Sequence, residues 1–131
     1  LFWGPVGTGK SYIAGCIANE LLKREVTVKM TNFNTIIDDI FPLADKTEYI
    51  NALASYQLLI IDDLGTENLT PFVISQLFHV INSRDLSRKT TIISTNLSPE
   101  ELQSTYTERI SSRLMGQYTP IPVFGEDLRN S

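Results

Sequence analysis

Gly4-Pro5-Val6-Gly7-Thr8-Gly9-Lys10-Ser11 has the spacing G-x-x-x-x-G-K-[ST], and its surroundings are those a phosphate-binding loop requires. Leu1-Phe2-Trp3 before it is apolar and strand-like. From Ser11 to Arg24, Ile13, Ile17 and Leu21 recur at helical spacing, as do Ala14, Ala18 and Leu22, and Lys23 and Arg24 fall where a helix dipole favours cations. Glycines at positions 4, 7 and 9 let backbone N–H groups turn inward around an anion, and the helix beginning near Lys10 points its positive end at the same spot. Lys10 then reaches the β- and γ-phosphates, while the Ser11 hydroxyl supplies one oxygen to Mg²⁺. Tyr12, next on the helix, completes the nucleotide-binding stretch. The motif predicts a bound nucleoside triphosphate.

Downstream, strands and helices alternate. Glu25 to Met30 is β-branched and alternating, which predicts a strand; Asn32 offers a helix cap for residues 33–41, ended by Pro42, and a further helix is expected from Thr47 to Ser55. Leu58-Leu59-Ile60-Ile61 is apolar without interruption, as a strand covered on both faces must be. Thr70-Pro71 pairs a cap with proline at the first helical position, opening a helix through Ile81. Thr90 to Thr95 predicts another buried strand, Ser98-Pro99-Glu100-Glu101 a helix start, residues 107–115 a helix, and residues 121–124 an edge strand tolerant of Pro122. Strands of this kind alternating with helices, read as apolar on both faces, imply a mostly parallel α/β sheet, whose functional residues gather at the carboxyl ends of strands.

Two further groups fall at those ends. The apolar strand finishes in Asp62-Asp63, hard oxygen ligands suited to Mg²⁺. Asp62 is expected at the metal and Asp63 at the attacking water, and two adjacent carboxylates make better sense beside a cation than alone. Asn96 follows Ile92-Ile93-Ser94-Thr95 and is placed to hold the same water or the γ-phosphate. Farther on, Arg109 and Arg113 lie four apart on one helix face. They are either solvated helix residues or a group that reaches the phosphate of a neighbouring subunit, where such an arginine contributes roughly 10³ to 10⁵ in rate.

The totals bound these readings. The 131 residues suffice for one α/β domain, 42% of them are hydrophobic, and the mean hydropathy is -0.04. No apolar run approaches the ~20 residues of a membrane span. A net charge of -4 gives no global attraction to nucleic acid. The single cysteine, Cys16, read as lying on the inner helix face, suits a reducing cytoplasm. His79 has no second His or Cys with which to form a metal site. The chain opens on Leu1 within an apolar run, which reads as part of a longer protein.

The loop, Asp62-Asp63, Asn96 and Arg109 to Arg113, in that order, resemble an AAA+ ATPase module. More narrowly, residues 58–67 and 92–98 resemble the bacterial helicase loaders of the DnaC/DnaI group, over essentially residues 1–131. The resemblance implies a P-loop NTPase fold with a five-stranded parallel sheet of order 5-1-4-3-2 flanked by helices. It also implies a cytoplasmic ATPase, dependent on ATP and Mg²⁺, that places a ring-shaped replicative helicase on single-stranded DNA, with the helicase-binding domain upstream of Leu1. Arg113 becomes the finger acting in trans after self-association, Arg109 its support, and Arg129 the sensor that contacts ATP from the C-terminal end. The helical excursion of residues 32–56 matches the place where such proteins contact single-stranded DNA. Here it carries Asp38, Asp39, Asp45 and Glu48 against Lys46 alone, which argues against direct DNA contact, and packing is the better use of Phe33, Phe41 and Tyr49. IstB-like transposition ATPases share the loop and the Asp-Asp strand; Leu64-Gly65-Thr66-Glu67 favours the loaders, because the transposition relatives more often carry an aromatic after that glycine. A nucleotide-switched binding module with negligible turnover is the third reading, left open by Asp rather than Glu at position 63.

Overall fold

The computed structural model describes residues 1–5, 9–65 and 68–123. Eleven elements follow one another among them: β1 (Phe2–Trp3), α1 (Lys10–Lys23), β2 (Val28–Asn32), α2 (Phe33–Ile40), α3 (Lys46–Ser55), β3 (Leu58–Leu64), α4 (Pro71–Leu86), β4 (Thr90–Thr95), α5 (Pro99–Thr105), α6 (Glu108–Gln117) and β5 (Ile121–Pro122). The strands form one sheet of order β2-β3-β4-β1-β5, every neighbouring pair parallel. This is the expected 5-1-4-3-2 arrangement.

Helix starts follow their local chemistry. Asn32 accepts the Thr35 N–H at 2.8 Å, Asp45 that of Thr47 at 3.0 Å, and Thr70 that of Val73 at 3.2 Å. Ser98 and Glu101 close a reciprocal capping box. Each such cap contributes about 1 kcal/mol.

The core explains the unbroken apolar run in β3. Leu58 and Ile60 pack under α1 with Ala14 and Ala18, whereas Leu59 and Ile61 join Ile93 and the buried faces of α2, α4 and α6. All four β3 side chains are essentially inaccessible, and each contributes about 1.5–3 kcal/mol through burial. Arg84 is also buried, 1% exposed. Its guanidinium donates to the carbonyls of Leu53 (3.1 Å), Tyr56 (2.5 Å) and Thr90 (2.5 Å) and to Thr91 Oγ1 (3.0 Å), so one side chain pins the end of α3 to the start of β4.

Three local expectations are corrected. The second strand begins at Val28, not Glu25, because residues 24–26 close α1: Glu25 takes a left-handed φ of 63°, and the Val26 N–H bonds back to the Leu21 carbonyl at 3.1 Å. That strand is also an edge, with Lys29 and Met30 exposed, so it is not apolar on both faces. Cys16 is exposed rather than inward-facing. Ala14 and Ala18 set the inner face of α1, and a residue two positions from each sits roughly 200° around the helix. At the other edge, Ile121 and Val123 donate to Leu1 and Trp3, so Pro122 occupies the position whose missing N–H costs no pairing to β1. Phe124 lies outside the described residues. No described helix is long and apolar enough to cross a membrane.

Candidate functional site

The sheet order creates the site. The chain leaves β1 toward β2 at one edge and leaves β4 toward β5 at the other, so a crevice opens at the carboxyl ends of these two adjacent strands. Gly4 extends β1 by donating its N–H to the Thr95 carbonyl at 3.2 Å. A side chain is impossible there, since a Cβ would stand 2.0 Å from the Val123 carbonyl oxygen. Gly9 takes a left-handed φ of 91° at the start of α1, and among the described residues no side chain caps that helix. The positive end of the α1 dipole points into the crevice, where it favours an anion. Val6, Gly7 and Thr8 lie outside the described residues.

Lys10 is 5% exposed, and its ammonium donates to the carbonyls of Gly4 (2.7 Å) and Pro5 (2.8 Å). Burial lowers its pKa, opposed by the charges of Asp63 and Asp62. The Ser11 hydroxyl lies 2.9 and 2.8 Å from the two carboxylate oxygens of Asp62, sharing its single proton between them. Tyr12 is 72% exposed on the outer side of α1.

Asp62 and Asp63 are distinguished by a bulge. Ile61 faces Ile93, but Leu64 faces Thr95, so β3 carries one residue more than β4 over this interval. Asp63 has a left-handed φ of 55° and is exposed; Asp62 is half-buried. Partial desolvation, then the Asp62 charge, raise the Asp63 pKa, with Lys10 acting against them. Between the two acids sits Ser94, fully buried: its hydroxyl donates to Asp62 Oδ1 and accepts the Asp63 N–H at 3.0 Å. Thr95, also buried, donates to the Leu64 carbonyl at 2.7 Å and accepts the Leu97 N–H at 3.1 Å, fixing the turn that carries exposed Asn96. The ends of β1, β4 and β3 thus gather Lys10, Ser11, Asp62, Asp63 and Asn96. The Ser11 hydroxyl and Asp62 carboxylate fit Mg²⁺, a hard cation that takes one or two protein oxygens and completes its shell with phosphate and water.

The arginines lie elsewhere. Arg113 pairs with Asp85 at 3.5 Å, and the guanidiniums of Arg109 and Arg113 lie 3.9 and 5.2 Å from the Phe78 ring centroid. Asp85 lines a depression with Leu1 and Thr90, where β1 and β4 begin, so Arg113 is held toward the opposite end of the sheet from Lys10 and Asp62. Burial raises the Asp85 pKa; Arg113 and the Tyr118 hydroxyl oppose it. Thr66, Glu67 and Arg129 lie outside the described residues. Sequence reading overlooked Ser94, Asp85 and Arg84; Ser94 carries no distinguishing local signal, because four of the six residues of β4 bear hydroxyls.

Comparison with known proteins agrees with this arrangement. The family model described as IstB-like ATP binding protein matches residues 1–130. The replicative helicase loader DnaI of Bacillus subtilis is 26% identical over 144 aligned positions, covering 98% of this chain and 46% of the loader. The replicative helicase loader DnaC of Escherichia coli K12 is 28% identical over 119 positions, covering 87% and 49%. The chain spans about half the length of these curated relatives. Among solved structures, AMPPCP-bound DnaA of Aquifex aeolicus superposes with a TM-score of 0.83 at 24% identity, covering 95% of this chain and 39% of DnaA. The fold is that of an AAA+ P-loop NTPase, and the chain belongs to the IstB-like ATP-binding protein family.

Proposed function

We propose that this chain is the ATP-binding and ATP-hydrolysing module of a replication protein that loads a replicative helicase onto single-stranded DNA. The observation that carries the ATPase reading is the Ser11–Asp62 contact, with the buried Lys10 ammonium near enough to feel the Asp62 charge. In this reading the backbone of residues 4–9 and Lys10 hold the triphosphate, with Tyr12 alongside it and Arg129 approaching it from the C-terminal end. Ser11 and Asp62 hold Mg²⁺, which when bound neutralises charge developing on the transferred phosphoryl group. Asp63 accepts the hydrogen bond of the attacking water, and Asn96 orients that water from the adjacent strand tip. Arg113, with Arg109 beside it, leaves Asp85 and Phe78 to reach the triphosphate of a second copy. Turnover of the isolated chain is then slow, because each site lacks its neighbour's arginine. The helicase as partner is supported by similarity to DnaI and DnaC.

The IstB-like description of the matching family favours a second reading, a transposition ATPase with the same nucleotide chemistry and a transposase as partner. A fluorescent ATP analogue tests the chemistry common to both: the parent should bind it with an affinity increased by Mg²⁺, and Lys10→Ala should not bind. Equal binding by Lys10→Ala overturns the assignment. Stimulated loading of a replicative helicase on circular single-stranded DNA, dependent on Lys10, separates the loader from the transposition reading.

A further inference from the structure

We infer that Ser94 is a positioning residue for the metal–nucleotide complex, using one hydroxyl to assign the adjacent carboxylates of Asp62 and Asp63 to different tasks. The inference rests on the ATPase reading above and deepens it. A regular strand would hold the Asp63 N–H in the ladder with β4. The extra residue in β3 and the left-handed Asp63 remove that partner, and Ser94 Oγ supplies the replacement at 3.0 Å. The same oxygen spends its only proton on Asp62 Oδ1. Asp62 is therefore held from two sides, by Ser94 below and by Ser11 at the crevice, while Asp63 is kept in the turn that leaves its carboxylate exposed.

The burial of Ser94 sharpens the point. It is 0% exposed in a strand whose flanking residue Ile93 is equally buried, a place where a hydroxyl is costly unless bonded. Here its donor and one acceptor position are both used. Loss of an outer hydrogen bond to a metal-binding carboxylate typically costs 10- to 100-fold in metal affinity.

The test measures the affinity of the full chain for a fluorescent ATP analogue in EDTA and in Mg²⁺, alongside its melting temperature. Ser94→Ala should bind in EDTA like the parent but lose about tenfold or more of the gain conferred by Mg²⁺. Ser94→Cys, which fills the same space with a weak donor, should lose it too, and Ser94→Thr should retain most of it. A merely structural hydroxyl would lower the melting temperature and leave the Mg²⁺ gain unchanged. An unchanged gain in folded Ser94→Ala or Ser94→Cys overturns the inference alone; a parent with no gain from Mg²⁺ overturns the ATPase reading and this inference with it.

Discussion

The Ser11 hydroxyl and the Asp62 carboxylate meet at 2.8–2.9 Å although 51 positions separate them in sequence. Two elements aim them: α1, which begins where Gly9 turns the chain, and β3, whose burial on both faces fixes its height in the sheet. Ser11→Ala and Asp62→Asn should therefore act alike, each removing most of the Mg²⁺-dependent part of nucleotide affinity. The double variant should lose little more than the worse single one, because both act on one ion. Additive losses in a double-mutant cycle would place the two residues in separate roles.

Asp63 gives a pH prediction. Its folded pKa is raised above the ordinary 3.8, so the folded chain holds that proton more tightly than the unfolded chain does. Folding is then disfavoured as pH rises through the Asp63 titration, and Asp63→Asn escapes this penalty. Without nucleotide, Asp63→Asn should melt above the parent at pH 7, and the gap should close below about pH 4. The same variant should hydrolyse ATP more slowly. Melting curves from pH 3 to 8 check the first statement and steady-state turnover the second.

Arg84 and Arg24 contrast a buried guanidinium with an exposed one. Arg84→Leu removes the buried donors to three carbonyls and a hydroxyl, and at about 1–3 kcal/mol for a buried group left unsatisfied should cost about 3 kcal/mol or more. Arg24 pairs with Glu20, with side chains 70% and 57% exposed, and Arg24→Ala should cost about 0.5 kcal/mol or less. Urea denaturation of the two variants compares them directly.

Local chemistry explains why much of this fold was readable and some of it was not. The loop at Gly4, the caps at Asn32, Thr70 and Ser98 and the β3 run at residues 58–61 announce themselves within a few residues, because the groups that stabilise them are neighbours in the chain. The start of β2 was misplaced because closing α1 uses residues that carry strand propensity. Cys16 was misplaced because the phase of α1 is set by what Ala14 and Ala18 pack against, Leu58 and Ile60. Ser94 and Asp85 stayed hidden for a different reason: each matters through a partner 28 to 32 residues away, and nothing in the local sequence of β4 or α4 names that partner.

Arg113 carries the prediction that separates stability from function. Its pair with Asp85 is partly exposed, 30% and 16%, so Arg113→Ala should cost about 1 kcal/mol or less. Turnover in assembled protein should nevertheless fall by about 10³-fold, with nucleotide affinity retained. Chemical denaturation, nucleotide titration and steady-state ATPase measurements on one preparation compare the three quantities.

The most direct measurement mixes two inactive variants. Lys10→Ala keeps the arginine and lacks the phosphate site, whereas Arg113→Ala keeps the phosphate site and lacks the arginine. If the site at Lys10, Asp62 and Asn96 is completed by Arg113 of a second copy, the mixture should hydrolyse ATP well above the sum of the separate variants. A mixture no more active than that sum would contradict a site shared between copies.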